Sequence, residues 1–188
     1  MILLWIALFI IRNMSSLSVE PYGYRVESST DGIEIRVYDA ALFSSVKLPK
    51  GTYDEHVSRG FRTLAGYIFG GNENNESIAM TSPVMMELDT PMVMSFMVPK
   101  ERARTSMPKP KDPSIYFTEK PVIRMAAIRF GGWANEKKIQ EYKNTLVRKL
   151  EAQGIAHTGK FAFLGYNPPY RLINRRNEVV VELITEKE

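Results

Sequence analysis

Ala41–Phe69 reads ALFSSVKLPKGTYDEHVSRGFRTLAGYIF, and Val122–Gln153 reads VIRMAAIRFGGWANEKKIQEYKNTLVRKLEAQ. Each passes from an extended apolar run, Ala41–Leu48 or Val122–Phe130, into a stretch of helical periodicity, Tyr53–Phe69 or Glu136–Gln153. Two more extended runs follow in both cases. After the first helix come Ile78–Met86, which contains Thr81-Ser82-Pro83, and Val93–Val98. After the second come Phe161–Pro169, which contains Tyr166-Asn167-Pro168, and Glu178–Ile184. A β-α-β-β unit used twice predicts an α+β domain with pseudo-twofold character, in which two helices pack on one curved antiparallel sheet. The pseudo-repeats span about 24–98 and 114–185 within a single domain, 19–188. The seam between such halves is a natural place for a ligand pocket.

The helix boundaries are written in side chains. Thr52 and Glu55 form a T-x-x-E capping box, which occupies otherwise orphaned backbone N–H groups. Val57, Phe61, Leu64 and Ile68 then make one apolar stripe, and Gly70-Gly71 ends the helix. Asn135 caps the second helix, whose stripe is Ile139, Tyr142, Leu146 and Leu150 and whose stop is Gly154. Upstream, Tyr24–Glu27 and Ile33–Tyr38 read as a hairpin around the turn 28–32, with Asp31-Gly32 its strongest element. Ile33, Ile35 and Val37 alternate with Glu34, Arg36 and Tyr38, which predicts one buried face. Between the two copies, Pro99–Pro113 is basic and proline-rich and reads as an exposed linker, with a docking role for it as the alternative.

Composition bounds the function. The 188 residues are 44% hydrophobic and 24% charged, which is ordinary globular material. A net charge of +4 favours anionic small molecules or an anionic membrane surface, and is too small and dispersed for nucleic acid. The chain has no cysteine, which excludes disulfides, thiolate chemistry and Cys-ligated metals. Met1–Ile11 is wholly apolar, shorter than the ~20 residues of a spanning helix, and without the marks of a signal peptide. Either it is the end of a longer anchor, giving membrane association through residues 1–11, or translation begins at Met14 and the protein is cytoplasmic. Residues 1–18 are set aside from the fold on both accounts.

Seven of the ten methionines fall between Met80 and Met107, several alternating on predicted strands. Thioethers suit an adaptable apolar pocket for a large flat ligand, and equally suit core filling. His56 and His157 lack metal-site spacing; His56 is a minor candidate as an iron ligand, and both read as surface residues. Arg171, Arg175 and Arg176 precede the last strand. The pair Arg175-Arg176 reads as a basic hairpin tip, and Arg171 as the better contact for a carboxylate. Glu178 and Glu182 share one side of the last strand. Glu182, or Glu87, would be the polar group if the pocket were that of a cofactor-free hydrolase or a general amphiphile receptor. No nucleophile elbow, P-loop or dinucleotide fingerprint is present, which argues against an enzyme.

The phrases IEIRVYDAALFSSV, GFRTLAGYIFGGN, IAMTSPVMM, IRFGGW and GYNPPYRLINRRNEVVVEL occur in this order. Together the chain resembles the SOUL/haem-binding protein family, from about Tyr24 to Leu183. The resemblance implies a distorted antiparallel β-barrel with two helices, the architecture of gyrase-inhibitor-like ligand-binding domains. It also implies non-enzymatic binding of haem or another porphyrin in a shallow apolar groove beside the first helix. A histidine proposed as axial ligand in some vertebrate members is Val37 here, so haem would be held without a strong protein axial ligand. The positions matching the family's groove are Ser58, Phe61, Ala65 and Gly66 on the helix, with Arg171 near the final hairpin. Ser58 and Gly66 stand where basic residues occur in other members; Arg62, one turn from both, is placed to compensate.

Overall fold

The computed structural model describes residues 19–168, 171 and 173–184. The apolar segment 1–18 therefore lies outside the described residues. The first hairpin joins β2 (Tyr24–Thr30) to β3 (Ile33–Tyr38), after a two-residue strand β1 (Glu20–Pro21). Asp31 and Gly32 both have positive φ, 52° and 73°, as a type I′ turn requires. The turn is therefore tighter than the five residues expected from sequence, and β2 absorbs the difference in a bulge between Val26 and Ser28.

Next come β4 (Ala41–Lys47), α1 (Tyr53–Ile68), β5 (Thr81–Ser82), β6 (Val84–Glu87) and β7 (Val93–Met97). The second half holds β8 (Ile115–Lys120), β9 (Ile123–Phe130), α2 (Glu136–Ala152), β10 (His157–Gly165) and β11 (Asn177–Leu183). The strands form one nine-stranded antiparallel half-barrel, ordered β2-β3-β9-β11-β10-β6-β7-β4-β8, with β1 paired to β5 beside it. With its two helices it is an α+β fold. Outward from the central β6–β10 pair, the order is β6-β7-β4 on one side and β10-β11-β9 on the other. Each triplet carries one helix, placed after its first strand. Strands β3 and β8, which precede β4 and β9, each pair with the opposite triplet.

Both caps are as the sequence predicts. Thr52 and Glu55 close the box on α1, and Asn135 accepts from the Lys138 N–H on α2. The helices also cap each other. The Tyr53 N–H donates to Glu136 Oε2 at 2.7 Å, and the Glu136 N–H to Asp54 Oδ2 at 3.2 Å. Two helix N-termini thus meet with a carboxylate from each answering the other's orphan donors and dipole.

The sheet is covered on both faces, not one. Leu64 on α1 and Leu146 and Leu150 on α2 are fully buried against Ile33, Ile35, Val179 and Val181. On the opposite face Tyr22, Tyr38, Phe43, Leu164 and Val180 form a second core. This corrects the expectation for β3: Arg36 and Tyr38 are buried along with Ile33 and Ile35. The methionines that alternate on these strands are divided between the two cores. Met85 and Met97 fill the second core while Met86, Met92, Met94 and Met107 fill the first; Met80 is half-buried. Nor is 99–113 a free linker. It contains a single 3₁₀ turn, Arg104–Ser106, its Met107 enters the first core, and Tyr67 donates from its hydroxyl to the Pro108 carbonyl at 2.9 Å.

Candidate functional site

Helix α1 presents the residues singled out on its outer flank. Ser58, Arg62 and Gly66 follow each other at four-residue spacing and are exposed; Phe61 and Ala65 lie half-buried beside them. Phe69, the C-cap residue, continues the stripe and is 67% exposed. Phe61 is anchored by Phe96 of β7, ring centroids 5.4 Å apart. A Cβ built on Gly66 would meet nothing within 4 Å, so no packing reason requires glycine there. The result is a shallow ledge: aromatic at both ends, small in the middle, with the Arg62 cation along it.

Arg171 is exposed and does not touch this ledge among the described residues. It lies on the β10–β11 connection, where its carbonyl accepts from Arg175 at 2.7 Å. Arg175 lies over Trp133 just before α2, and Glu136 of α2 meets the Tyr53 N–H at the start of α1, so this connection sits toward the opposite end of the helix from Phe69. The Tyr53 hydroxyl is pushed up to about 12, first by burial and then by Asp54, with Arg175 opposing. The structure thus groups Ser58, Phe61, Arg62, Ala65 and Gly66, and leaves Arg171 apart from them.

The metal and acid candidates are engaged elsewhere. His56 has its Nε2 at 3.2 Å from the Lys50 carbonyl. His157 stacks edge-on to Phe161 and accepts from the Gly159 N–H. No cluster of three His, Asp or Glu suited to a metal exists among the described residues. Glu182 pairs with Lys160 at 3.3 Å, and Glu87 pairs with Lys120. Both reach toward the second core's side of the sheet, with Ala162 of β10 between their strands.

The most connected polar group is one that the sequence reading left in a strand pattern. Glu178 is fully buried and receives four donors. Arg36 grips it through both terminal nitrogens, at 2.6 and 3.0 Å; Tyr166 donates at 2.8 Å and Arg176 Nε at 2.9 Å. Arg36 also donates to Tyr38 at 2.9 Å and to Glu34 at 2.8 Å, and Arg176 donates to Tyr24 at 2.8 Å. Burial opposes ionisation of Glu178, but the Arg36 hydrogen bonds and charge, followed by Arg176 and Tyr166, outweigh it and hold the carboxyl below its usual range. Burial, then Glu178, raises the Tyr166 hydroxyl. A signal for this network was present in NEVVVEL. Three successive valines imply a strand covered on both faces, so the adjoining glutamate must be buried and needs a cation.

Two surface depressions complete the picture. One, of about 350 Å³, is lined by Lys47, Ser114 and Tyr116. The other, of about 510 Å³, lies between the turn after β9 and the one before β11, lined by Arg129, Phe130, Gly131, Gly132, Asn174 and Arg175.

Comparison with known proteins settles the kinship. A model of the family described as SOUL heme-binding protein matches residues 19–182. The chain belongs to this family. Heme-binding protein 2 of Homo sapiens is 29% identical over 155 residues, covering 78% of this chain and 75% of that one. Heme-binding protein 1 of Sus scrofa is 27% identical over 181 residues, covering 90% and 95%. Among solved structures, the EcmrR C-terminal domain superposes with a TM-score of 0.63 at 10% identity, covering 86% of this chain and 98% of that one, a likeness of fold. Against that kinship the SOUL phrases in the chain acquire physical roles. In GGN, buried Asn72 donates to the Tyr67 and Glu76 carbonyls and accepts from the Glu76 N–H. In YNPP, Asn167 accepts from the Arg176 N–H at 2.6 Å. In TSP, Thr81 donates to the Met97 carbonyl at 2.7 Å. These side chains hold loops and strand ends in place.

Proposed function

We propose that this protein binds haem or a related tetrapyrrole, without catalysis, on the outer ledge of α1. Membership of the SOUL heme-binding protein family carries the proposal, and the character of the ledge supports it. When bound, the group contributes a flat apolar face and two propionates. Phe61 and Phe69 would bury part of that face, at about 25 cal/mol per Å² removed from water. Gly66, with open space above it, would let the ring approach the helix. Arg62 would pair with a propionate, and Arg171 with a second only if the β10–β11 connection comes toward the helix. The arrangement draws on no protein axial ligand, and His56 is turned to the Lys50 carbonyl.

A hemin titration of the full chain, followed at the Soret band, tests this. The band is expected to shift and saturate, and Phe61→Ala and Gly66→Leu should each weaken binding by roughly tenfold, the equivalent of ~1.4 kcal/mol. Gly66→Leu is the sharper variant because the space around that position is empty, so it blocks the ledge without disturbing the fold. A band that does not move overturns the ligand class. Unchanged affinity in Gly66→Leu overturns the placement.

A further inference from the structure

Two arginines near β9 and β11 make no ion pair among the described residues. At this end of the sheet Arg36 and Arg176 share Glu178, and Arg36 also reaches Glu34. Arg129 lies directly opposite Glu178 in the β9–β11 register, yet it is exposed and makes no ion pair among the described residues. Arg175 is half-buried and bonds only neutral acceptors, the carbonyls of Asn167, Pro168 and Arg171. Its Nε is buried without a hydrogen-bond partner among the described residues. Arg36 and Arg176 are therefore paired within the fold, while Arg129 and Arg175 make no ion pair among the described residues. Lys138 adds another cation at the rim, where it donates to the Gly131 carbonyl at 2.7 Å.

The two uncompensated arginines, Arg129 and Arg175, line the same 510 Å³ depression. Among the described residues its lining contains no acidic side chain. Its floor is the Gly131-Gly132 backbone, with Gly132 at φ 75°. A Cβ at Gly132 would stand 3.2 Å from Lys138 Nζ, so glycine keeps both the turn and the rim open. Trp133, 53% exposed, flanks the depression and carries the Arg175 guanidinium 4.3 Å from its ring centre.

We propose that the depression between Arg129–Gly132 and Asn174–Arg175 is a binding site for a phosphomonoester group, separate from the ledge on α1. A phosphomonoester carries about −1.5 to −2 at neutral pH, which suits two guanidiniums without ion pairs better than one carboxylate does. Its oxygens suit the fork of Arg129, and Arg175 lines the same depression with no ion pair among the described residues. The group can belong to a soluble molecule or to a lipid headgroup.

The test uses the full chain carrying Trp5→Phe, so that Trp133 is the sole indole. Inorganic phosphate is titrated at constant ionic strength against chloride while Trp133 emission is read. Saturation is expected in the millimolar range with phosphate and absent with chloride. Arg129→Ala, a change at an exposed side chain, should weaken the response by about tenfold, the scale of one lost charge-assisted contact. Phe61→Ala should leave it unchanged, which separates this site from the ledge whatever the hemin titration gives. Co-sedimentation with phosphatidylcholine vesicles, with and without phosphatidic acid, identifies the source. Arg129-dependent capture by the acidic vesicles means a headgroup; phosphate saturation without capture means a soluble ligand. A phosphate response equal to that of chloride, or one indifferent to Arg129→Ala, overturns the proposal.

Discussion

Arg176 donates to Glu178 at 2.9 Å and to Tyr24 at 2.8 Å, and lies over the Tyr166 ring. Arg175, its neighbour in the chain, touches only backbone carbonyls and the face of Trp133. The two stand side by side just before β11, and from there their roles diverge. The Arg176 charge closes on a carboxylate within the fold; the Arg175 charge is left without one among the described residues. A closed charge is expected to govern stability, an open one to govern binding. Each experiment below is a way to collapse that distinction or to tighten it.

The largest effect is expected from Glu178→Gln. Removing the carboxylate strands the buried Arg36, and breaking a buried pair typically costs about 3–5 kcal/mol. Urea unfolding should show that loss, while Arg175→Gln, whose partners are neutral carbonyls, should lose only about 1 kcal/mol. Equal losses would mean that the two arginines are not different in kind. Acid sharpens the same point. Glu178 binds its proton less readily when folded than when unfolded, so acidification loads the unfolded chain first. The stability it contributes is whole above the ordinary carboxylate value of about 4.3 and is lost as pH falls through that value toward the lower folded one. Glu178→Gln should remove this part of the acid limb, and a limb of unchanged steepness would exclude Glu178 as its source. Tyr166→Phe deletes one of the four donors and should cost about 2 kcal/mol, the scale of a hydrogen bond to a charged group.

The same division explains what could be read in the sequence. Both helices, their caps, the Asp-Gly hairpin and the run of strands are local features, set by residues a few positions apart. Arg36 and Glu178 are 142 positions apart, and a charged residue at an alternating strand position reads as a solvent face. The second core hid for the same reason: Tyr38 and Arg36 look outward until a curved sheet folds over them. The ledge on α1 was legible from the family motifs that cover it. The open charge of Arg175 was not, because the pair with Arg176 reads as one basic tip.

Gly66→Ala reaches the ledge through stability. Glycine in a helix interior is about 1 kcal/mol less favourable than alanine, and the site has room. The variant should be more stable by about that amount, a rise in Tm of roughly 2–4 °C for a chain of this size. Its hemin affinity should not rise in step. A gain in stability with unchanged or weaker binding marks Gly66 as a residue whose value is its missing side chain; a variant that is less stable means that the helix is packed there after all.

The smallest effect expected on the fold is that of Arg129→Ala. Its side chain is exposed and unpaired among the described residues, so its removal should change unfolding free energy by no more than about 0.5 kcal/mol. It stands opposite Glu178 in the register, and loss of a like charge beside Arg36 and Arg176 should, if anything, relieve repulsion. A loss of several kcal/mol would show that Arg129 serves the buried network and would move it to the closed set with Arg176. A stability-neutral variant that has lost its phosphate response would instead leave Arg129 with Arg175, as charges whose partner comes from outside the chain.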